Sequence, residues 1–367
     1  MNTLRPDTST PAIGAVVLAY GDEPWLEACL SALLAEPISH LVVVDNGLVG
    51  AQPGLSDSRL SWIHPGRNTG FAGGCNLGAK AIAAQCDVLL FVNSDLVISE
   101  SAPTLLAKAL DDPAVGLACG LVLLGTYPNV INTAGNPIHF TMLSWAGQWG
   151  REASHLQRQR HVGSATGALL AIRSADWGQL RGLYADLFAY GEDVELSIRT
   201  WQSGKSVVCE EHATGLHYYE FTRNPLKMYL LERNRLSNLA TLYEWSTLVM
   251  LAPALAVVEA GILFSAAQDG WLSQKFAGYR WLWKHRANLR ERRRWVQAQR
   301  TRSDSAMSDV FTSHLDLSPL SGYGVPLWVD AILASWREMV WPSTASADQA
   351  PAATRRLPRL SRRPRRA

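Results

Sequence analysis

The sequence is poor in cysteine and has almost no net charge. Its 367 residues include five cysteines, 34 basic and 32 acidic side chains, so the formal net charge is +2. The cysteines are scattered without a Cys-x-x-Cys pair, which argues against a disulfide framework and a structural zinc site. The polar segment Met1 to Pro11 has no apolar run after a basic start, so we expect no secretory signal and reduced thiols.

Signatures of dinucleotide and nucleic-acid binding are also missing. The glycine-rich stretch Gly66 to Gly78 lacks the G-x-G-x-x-G spacing and follows no long strand. Arginines crowd Arg286 to Arg302 and Arg355 to Arg366, but the first group lies beside tryptophans and an apolar segment rather than in a recognisable RNA or DNA module. We therefore expect no nucleic-acid partner.

Short apolar runs alternate with helical patterns over the first 240 residues. Strands are predicted at 12–19, 41–44, 61–64, 88–92, 115–124 and 206–209, and helices at 26–34, 76–84, 101–110, 192–203 and 224–243. This alternation predicts an α/β, Rossmann-like fold with a mostly parallel sheet flanked by helices. We predict four regions: a disordered leader at 1–11, a catalytic domain at 12–243, a helical membrane-associating region at 244–342 and a disordered Arg/Pro-rich tail at 343–367.

The membrane expectation rests on one long apolar segment. From Ser246 to Ala267 the chain is interrupted only by Pro253, Glu259 and Gly261. This length could span a bilayer, but a central glutamate costs about 2.5 kcal/mol or more on insertion scales. A transmembrane span and an interfacial helix therefore both remain open. The tryptophans and arginines that follow are typical of a surface beside anionic lipid.

Two aspartates follow predicted strands. Asp45 comes after Leu41 to Val44, and Asp95 follows Asn93 and Ser94 at the end of the next buried strand. In open α/β sheets, ligands bind beyond the carboxyl ends of the strands. Asp45 could accept hydrogen bonds from a ribose or a pyrimidine, or be a simple turn residue. Asp95 could hold Mg²⁺ or Mn²⁺ against a leaving pyrophosphate.

The segment Arg67 to Asn76 is a second candidate. Its glycines permit close approach of the backbone to a ligand, and Asn76, at the predicted start of a helix, would leave amides free for an anionic group. A purely structural loop is the competing interpretation.

Two further positions could complete a catalytic site. His217 is the candidate second metal ligand, although an isolated histidine is more often an ordinary surface or core residue; a mixed carboxylate and imidazole site would suit Mn²⁺. Glu192 and Asp193 begin a predicted helix, where acids are common caps. The functional interpretation makes Asp193 the general base for an acceptor hydroxyl, with Glu192 as the alternative.

The order of these motifs resembles glycosyltransferase family 2, and most closely its rhamnosyltransferase-like branch acting on cell-envelope polysaccharides. The matching segments are Val44 to Asn46, Asn68 to Asn76, Asn93 to Asp95, Gly167 to Arg173 and Glu192 to Arg199. The resemblance covers roughly residues 13–239. Ser94 stands where that branch usually has proline, which bears on the identity of the sugar.

The resemblance implies a GT-A fold and an inverting displacement that uses Mg²⁺ or Mn²⁺ held by Asp95 and His217, with Asp193 or Glu192 as base. The residues expected to bind the nucleotide-sugar donor are Asp45, Asn68, Gly70, Phe71, Asn76, Asn93, Ser94 and Asp95. It suggests dTDP-rhamnose as donor and a cell-envelope or polyprenyl-linked glycan as acceptor, at the cytoplasmic face of the membrane. The alternative is a catalytically silent partner of the same fold that binds glycan or another transferase.

Overall fold

The computed structural model describes residues 11–218, 224–316 and 326–342. The predicted leader, apart from Pro11, and the predicted tail lie outside this part of the chain. The strands are β1 (Ile13–Gly21), β2 (His40–Leu48), β3 (Leu60–Ile63), β4 (Val88–Asn93), β5 (Leu96–Ile98), β6 (Val115–Leu124), β7 (Tyr127–Thr133), β8 (Ile138–His139), β9 (Leu169–Arg173), β10 (Ser206–His217) and β11 (Phe311–Thr312).

The helices fall into two groups along the chain. Those of the first two hundred residues are α1 (Leu26–Leu34), α2 (Gly70–Ile82), α3 (Ala102–Ala109), α4 (Ser174–Gln179) and α5 (Glu192–Gln202). Those that follow are α6 (Pro225–Leu242), α7 (Trp245–Gln268), α8 (Leu272–Lys284), α9 (Arg286–Gln299) and α10 (Leu327–Val340). Most predicted elements are present, with ends that differ by a few residues.

Nine strands form one mixed sheet with the order β3-β2-β1-β4-β9-β6-β10-β5, and β7 pairs with β6. The first four strands are parallel, as is the pair β6-β10. The pairs β4-β9, β6-β9, β6-β7 and β5-β10 are antiparallel, so the prediction of a mostly parallel sheet was only half right. Strands buried on both faces are apolar throughout, and such a pattern does not encode the direction of a strand.

The sheet is covered by helices on both faces. On one face, Leu30 of α1 and Leu106 of α3 pack in a cluster with Val17 and Val43. On the other face, Ala79 of α2 and Leu196 of α5 pack with strand residues such as Val16. Two apolar layers therefore fix the strands whose ends carry the candidate site.

Helix α2 begins at Gly70, six residues before the predicted start at Asn76. The glycines of this segment predict a loop because glycine is a poor helix former. Here they serve close packing: a Cβ added to Gly74 would lie 2.1 Å from Leu18 Cδ1, and one added to Gly78 would lie 2.4 Å from Val16 Cγ1. The helix can lie against β1 only without those side chains.

A buried ionic network joins α6, α7 and α8. Lys275 Nζ lies 2.6 Å from Glu232 Oε2 and 2.5 Å from Glu259 Oε1, and Arg235 contacts both glutamates. Tyr279 also donates to Glu259. Glu259, which interrupts the apolar segment of the sequence, is therefore directed at protein partners. Helix α7 is long and apolar enough to cross a membrane by length and composition alone.

We expect Lys275→Met to destabilise the protein by about 3–5 kcal/mol. Without the lysine, the buried network keeps two glutamates but only one cation, so one negative charge is uncompensated. The Lys275 side chain has no exposed surface, so solvent cannot replace it. Urea unfolding followed by tryptophan fluorescence measures the change. Lys284→Met on the exposed end of the same helix is the matched control, and equal stability of the two variants would contradict the prediction.

Candidate active site

Asp45 and Asp95 lie at the same edge of the sheet. Strand β1 separates their strands, with Ala19 paired to Asp45 and Leu18 paired to Asn93. Two strand spacings put the backbones of β2 and β4 about 10 Å apart. The sequence predicted both aspartates at strand ends. Asp45 instead lies within β2, which continues to Leu48 past an irregularity in its pairing with β1.

His217 meets Asp95 at this edge. The antiparallel pairing of β10 with β5 sets His217 opposite Leu96, the neighbour of Asp95. As a result His217 Nε2 lies 3.0 Å from Asp95 Oδ1. The other ring nitrogen, Nδ1, lies 3.2 Å from Asn132 Oδ1. The side-chain nitrogen of Asn93, Nδ2, lies 3.4 Å from Nε2. In the tautomer protonated at Nδ1, the ring donates to Asn132 and the Nε2 lone pair faces the Asp95 carboxylate, an arrangement that needs a cation between the two atoms.

These two side chains fit a divalent cation. Ligands on adjacent corners of an octahedron, each about 2.1 Å from the ion, are separated by roughly 3.0 Å. Orientation of the imidazole by a carbonyl on its other nitrogen is typical of a ligating histidine. No cluster of three or more His, Cys, Asp or Glu suited to a metal occurs in the described residues. The pair therefore needs further ligands, such as phosphate oxygens; a protonated histidine would make the same contact without a metal.

Asp193 lies beside the same strand ends, on the first turn of α5. Its Oδ2 accepts from the Gly167 amide at 3.3 Å and its Oδ1 from its neighbour Val194 at 2.8 Å. Ala168 follows Gly167, and its backbone carbonyl accepts from the backbone amide of Asn93 at 3.0 Å. This chain of contacts ties Asp193 to the segment that carries Asp95. Burial raises the pKa of Asp193, while the amides of Val194 and Gly167 oppose the rise.

The loop before Asp193 is held by α6. Asn234 Nδ2 donates to the carbonyls of Leu187, Ala189 and Tyr190, and Asn238 Nδ2 donates to that of Gly191 at 3.0 Å. Both asparagines are buried. No motif in the sequence predicted a role for them, although polar residues on the buried face of a helix are a usable signal.

Glu192 turns the other way, into the protein. With Asp193 it lines a small cavity whose other walls are apolar or aromatic: Phe71, Phe91, Gly167, Leu170, Trp177 and Leu183. Its Oε2 has no hydrogen-bond partner among the residues that the structure describes. Burial and the nearby charge of Asp193 raise the pKa of Glu192 well above its ordinary value. The Asp193 carboxylate, in contrast, accepts from two backbone amides of other residues.

Asp45 forms a turn and contacts a histidine. Its Oδ1 accepts from the amides of Gly47 at 3.1 Å and Leu48 at 2.8 Å, and its Oδ2 lies 3.1 Å from His64 Nδ1. Burial opposes the shift, but these bonds hold the pKa of Asp45 below its ordinary value. The side chain keeps lone pairs toward solvent, so the turn and ligand interpretations are compatible. Tyr20, 58% exposed, lies beside Gly47 and presents an aromatic face next to it.

The glycine-rich segment is organised by Asn46, a buried residue that the sequence motifs did not single out for this role. Asn46 Oδ1 accepts from the Thr69 amide at 2.7 Å, and its Nδ2 donates to Asn68 Oδ1 at 2.9 Å. Asn68 in turn accepts from the Gly70 amide. Gly70 has a φ of +73°, and an added Cβ would lie 2.4 Å from the Phe188 carbonyl, so glycine is required.

The expectation that Asn76 opens a helix beside an anion is wrong. Asn76 lies inside α2, and its side chain bonds the backbone amide and carbonyl of Leu183. At the actual helix start, the Ala72 amide is taken by the Phe188 carbonyl and the Gly70 amide by Asn68. Much of this helix terminus is therefore satisfied within the protein, as in the structural-loop interpretation.

The remaining predicted donor residues are divided between the two ends of the site. Phe71 lies near Gly167 in the small cavity beside Asp193. Ser94 is buried and bonds Glu23, whose pKa is raised by burial and by the charges of Asp95 and Asp22, against the lowering effect of the Ser94 bond. Glu23 is therefore another acid close to Asp95, and no spacing in the sequence indicates it.

Comparisons with known proteins agree with this architecture. Residues 15–177 match the family model described as Glycosyl transferase family 2, while no curated protein matches the chain. A crystal structure of GalNAc-T7 with UDP, GalNAc and Mn²⁺ superposes with a TM-score of 0.52 at 14% identity, covering 65% of this chain and 49% of that one. The chain thus spans about half of the GalNAc-T7 structure. The GT-A fold expected from the resemblance is confirmed, with a mixed sheet.

Two further structures are similar over large parts of the chain. The mannosyltransferase PcManGT from Pyrobaculum calidifontis, in complex with GDP-Man and Mn²⁺, has a TM-score of 0.47 at 16% identity, with 80% of this chain and 85% of that one covered. S. aureus TarS has a TM-score of 0.43 at 14% identity, with 67% and 43% covered.

We expect Glu192→Gln to raise the free energy of unfolding at pH 8 by about 1–3 kcal/mol, because at that pH folding must either protonate the buried carboxyl or bury its charge, and the uncharged amide requires neither. A carboxyl whose pKa is raised in the folded state binds more protons there than in the unfolded state, so its contribution to stability falls as pH rises above about 4.5. The gain should therefore shrink at pH 5. Urea unfolding at both pH values measures it, and a variant less stable than wild type at pH 8 would refute this account.

Proposed function

We propose that this protein is a metal-dependent, inverting glycosyltransferase that moves a sugar from a nucleotide diphosphate donor to an acceptor hydroxyl. The observation on which the proposal rests is the placement of the Asp95–His217 pair and of Asp193 along one sheet edge. Cation ligands and a carboxylate base are the two chemical functions that such a transfer needs. The family match over residues 15–177 supports the same reaction class.

The donor would lie across the strand ends from Asp45 to Asp95. Asp45 offers free carboxylate lone pairs for the nucleoside, and the exposed Tyr20 offers a face on which a base can stack. Asp95 and His217 would hold Mg²⁺ or Mn²⁺, which neutralises charge on the departing pyrophosphate. The GalNAc-T7 structure, which shares the fold, contains Mn²⁺ together with UDP and so supports this choice of metal.

Asp193 would act as the base. In the transfer, the acceptor oxygen attacks the anomeric carbon from the side opposite the leaving phosphate, its proton passes to the carboxylate, and the configuration inverts. Burial raises the pKa of Asp193 above its ordinary value, which moves it toward neutrality and makes it a better proton acceptor while it stays ionised. Its two backbone hydrogen bonds fix the carboxylate in one orientation.

The finer assignment rests on the motif resemblance. We propose rhamnose from dTDP-rhamnose as the transferred sugar, and a cell-envelope glycan or polyprenyl-linked glycan as the acceptor. We also propose that the protein works at the cytoplasmic face of the membrane, where such acceptors are built. The long apolar helix α7 supports that location.

Asp193→Asn should lower kcat by about 10²- to 10⁴-fold, the usual contribution of a general base, while donor affinity stays near that of wild type. Transfer assays with purified protein, Mn²⁺ and the donor found by screening would measure both parameters. Asp111→Asn, an exposed site on another element, is the matched control, and Glu192→Gln should keep most of the activity. Full activity of the Asp193 variant would exclude it as base, and an inert wild type that still binds glycan would favour a silent partner protein.

A nucleotide-sugar panel should identify a donor that raises Tm only with Mn²⁺ present. A ligand at a hundred times its Kd stabilises the folded state by about 2.7 kcal/mol. Asp95→Asn and His217→Gln should each remove the Mn²⁺-dependent part of the shift, because each deletes one of the two protein ligands. Differential scanning fluorimetry with and without EDTA measures this. An equal shift in EDTA would show that donor binding needs no metal.

A further inference from the structure

Helix α7 has two apolar faces, only one of which is covered. The residues on the covered face, which pack against the rest of the protein, are Thr247, Leu251, Ala254, Val258 and Ala266. The residues exposed on the other face are Trp245, Ser246, Val249, Met250, Ala252, Pro253, Ala256, Val257, Ala260, Gly261, Phe264, Ala267 and Gln268. The outward face therefore carries no charge over 24 residues, or about 36 Å of helix.

The exposed apolar face continues onto α10. Trp336 Nε1 donates to the Met250 carbonyl at 3.0 Å, which fixes α10 beside the first half of α7. Large apolar side chains of α10 that remain exposed are Leu327 (87%), Trp328 (67%), Ile332 (51%) and Met339 (63%). Contiguous apolar surface of this extent is uncommon on a soluble monomer and marks a site of protein or membrane contact. We call the outward faces of α7 and α10 the apolar face.

A basic cavity of about 540 Å³ adjoins one end of the apolar face. It is lined by Glu244, Trp245, Arg290, Arg293, Arg294 and Gln297. Arg293 lies 4.1 Å from the centre of the Trp245 ring and donates to the carbonyls of Ala240 and Tyr243. Arg290 and Arg294 are exposed, and neither has an ion-pair partner within the described residues. Two free guanidinium groups beside an exposed tryptophan suit a phosphate at a membrane interface.

We propose that the apolar face docks on an anionic bilayer, with α7 lying in the membrane plane and a lipid phosphate held between Arg290 and Arg294. This rests on the membrane location given under the proposed function, and adds the surface, its orientation and the chemistry of its lipid contact. The charge pattern favours a membrane over a second copy of this chain, since a neutral apolar patch alone would not need free arginines at its rim.

An in-plane helix fits the packing better than a spanning one. Leu251, Ala254 and Val258 lie in one core cluster with Phe140 and Met307, so the covered face of α7 is packed against the domain along its middle turns. A helix covered on one face by a folded domain can expose only its other face to lipid. Glu259 also faces the buried network, so it does not meet the bilayer.

Vesicle flotation tests the proposal with the full-length protein. Wild type should bind vesicles of phosphatidylcholine with 30% phosphatidylglycerol more tightly than phosphatidylcholine alone, in a salt-dependent way. Arg290→Gln/Arg294→Gln should weaken binding to the anionic vesicles about thirtyfold, because each basic residue near such a surface contributes about 1 kcal/mol to the binding free energy. Arg158→Gln/Arg160→Gln is the matched control, because it removes two exposed arginines from another part of the surface. Equal losses in the two double variants would overturn the phosphate contact.

A second variant separates the apolar contact from the charge. Val249→Glu/Val257→Glu places acids on side chains that are 72% and 46% exposed, so folding should be unaffected while binding to both kinds of vesicle is lost. Unchanged vesicle binding, or a wild-type dimer that this variant converts to monomer in light scattering, would overturn the proposal. Inorganic phosphate that competes at millimolar concentration would instead identify the cavity as a site for free phosphate, also against it.

Membrane docking and sugar transfer can be separated with two of these variants. Asp193→Asn should bind vesicles like wild type, since its change lies in the catalytic helix and not on the apolar face. Arg290→Gln/Arg294→Gln should in turn keep wild-type transfer to a soluble acceptor. Vesicle binding without sugar transfer would support the docking surface and refute the proposed enzyme activity. Sugar transfer without vesicle binding would support the enzyme activity and refute the docking surface.

Discussion

The candidate site depends on the antiparallel insertion of β9 beside β4. Through it the Asn93 amide bonds the Ala168 carbonyl, and the neighbouring Gly167 amide reaches Asp193. Had β9 been parallel to β4, its other end would adjoin Asn93, and Asp193 would lie far from Asp95 and His217. Residues about a hundred positions apart thus meet because one strand enters the sheet from the opposite direction.

Helix α6 connects this site to the C-terminal helices. Asn234 holds the loop before Asp193, while Arg235, the next residue, belongs to the ionic network with Glu259 of α7. A second link runs from Arg292 of α9 to Glu195 of α5, at 2.5 Å. The surface proposed to meet the membrane is therefore attached through short, buried contacts to α5, the helix that carries Asp193. If the proposals hold, such contacts would fix the distance between the bilayer and the proposed base.

The sequence predicted what depends on local pattern and missed what depends on packing. Strand β6 was predicted with the bounds it has, because a long apolar run follows Asp112 and Pro113 and ends before Gly125. The start of α2 was missed, since glycines that permit helix–sheet contact look the same in sequence as glycines of a loop. Asn46 and Asn234 were missed as organisers because their partners include backbone groups, which every sequence contains. His217 was proposed beside Asp95 because one carboxylate is too few ligands for a metal ion, and the resemblance implied the same pair.

The adjacent acids at the start of α5 show how context divides chemically similar residues. Gly191, with a φ of +81°, turns the chain so that Glu192 enters an apolar cavity while Asp193 faces the Gly167 amide. Two ionised carboxylates so close repel each other, and the Asp193 carboxylate accepts from the amides of Val194 and Gly167, which stabilise its charge. Ionisation at neutral pH should therefore concentrate on Asp193. A protonated Glu192 beneath it would keep the local charge at one, which leaves Asp193 free to accept a proton from an acceptor hydroxyl.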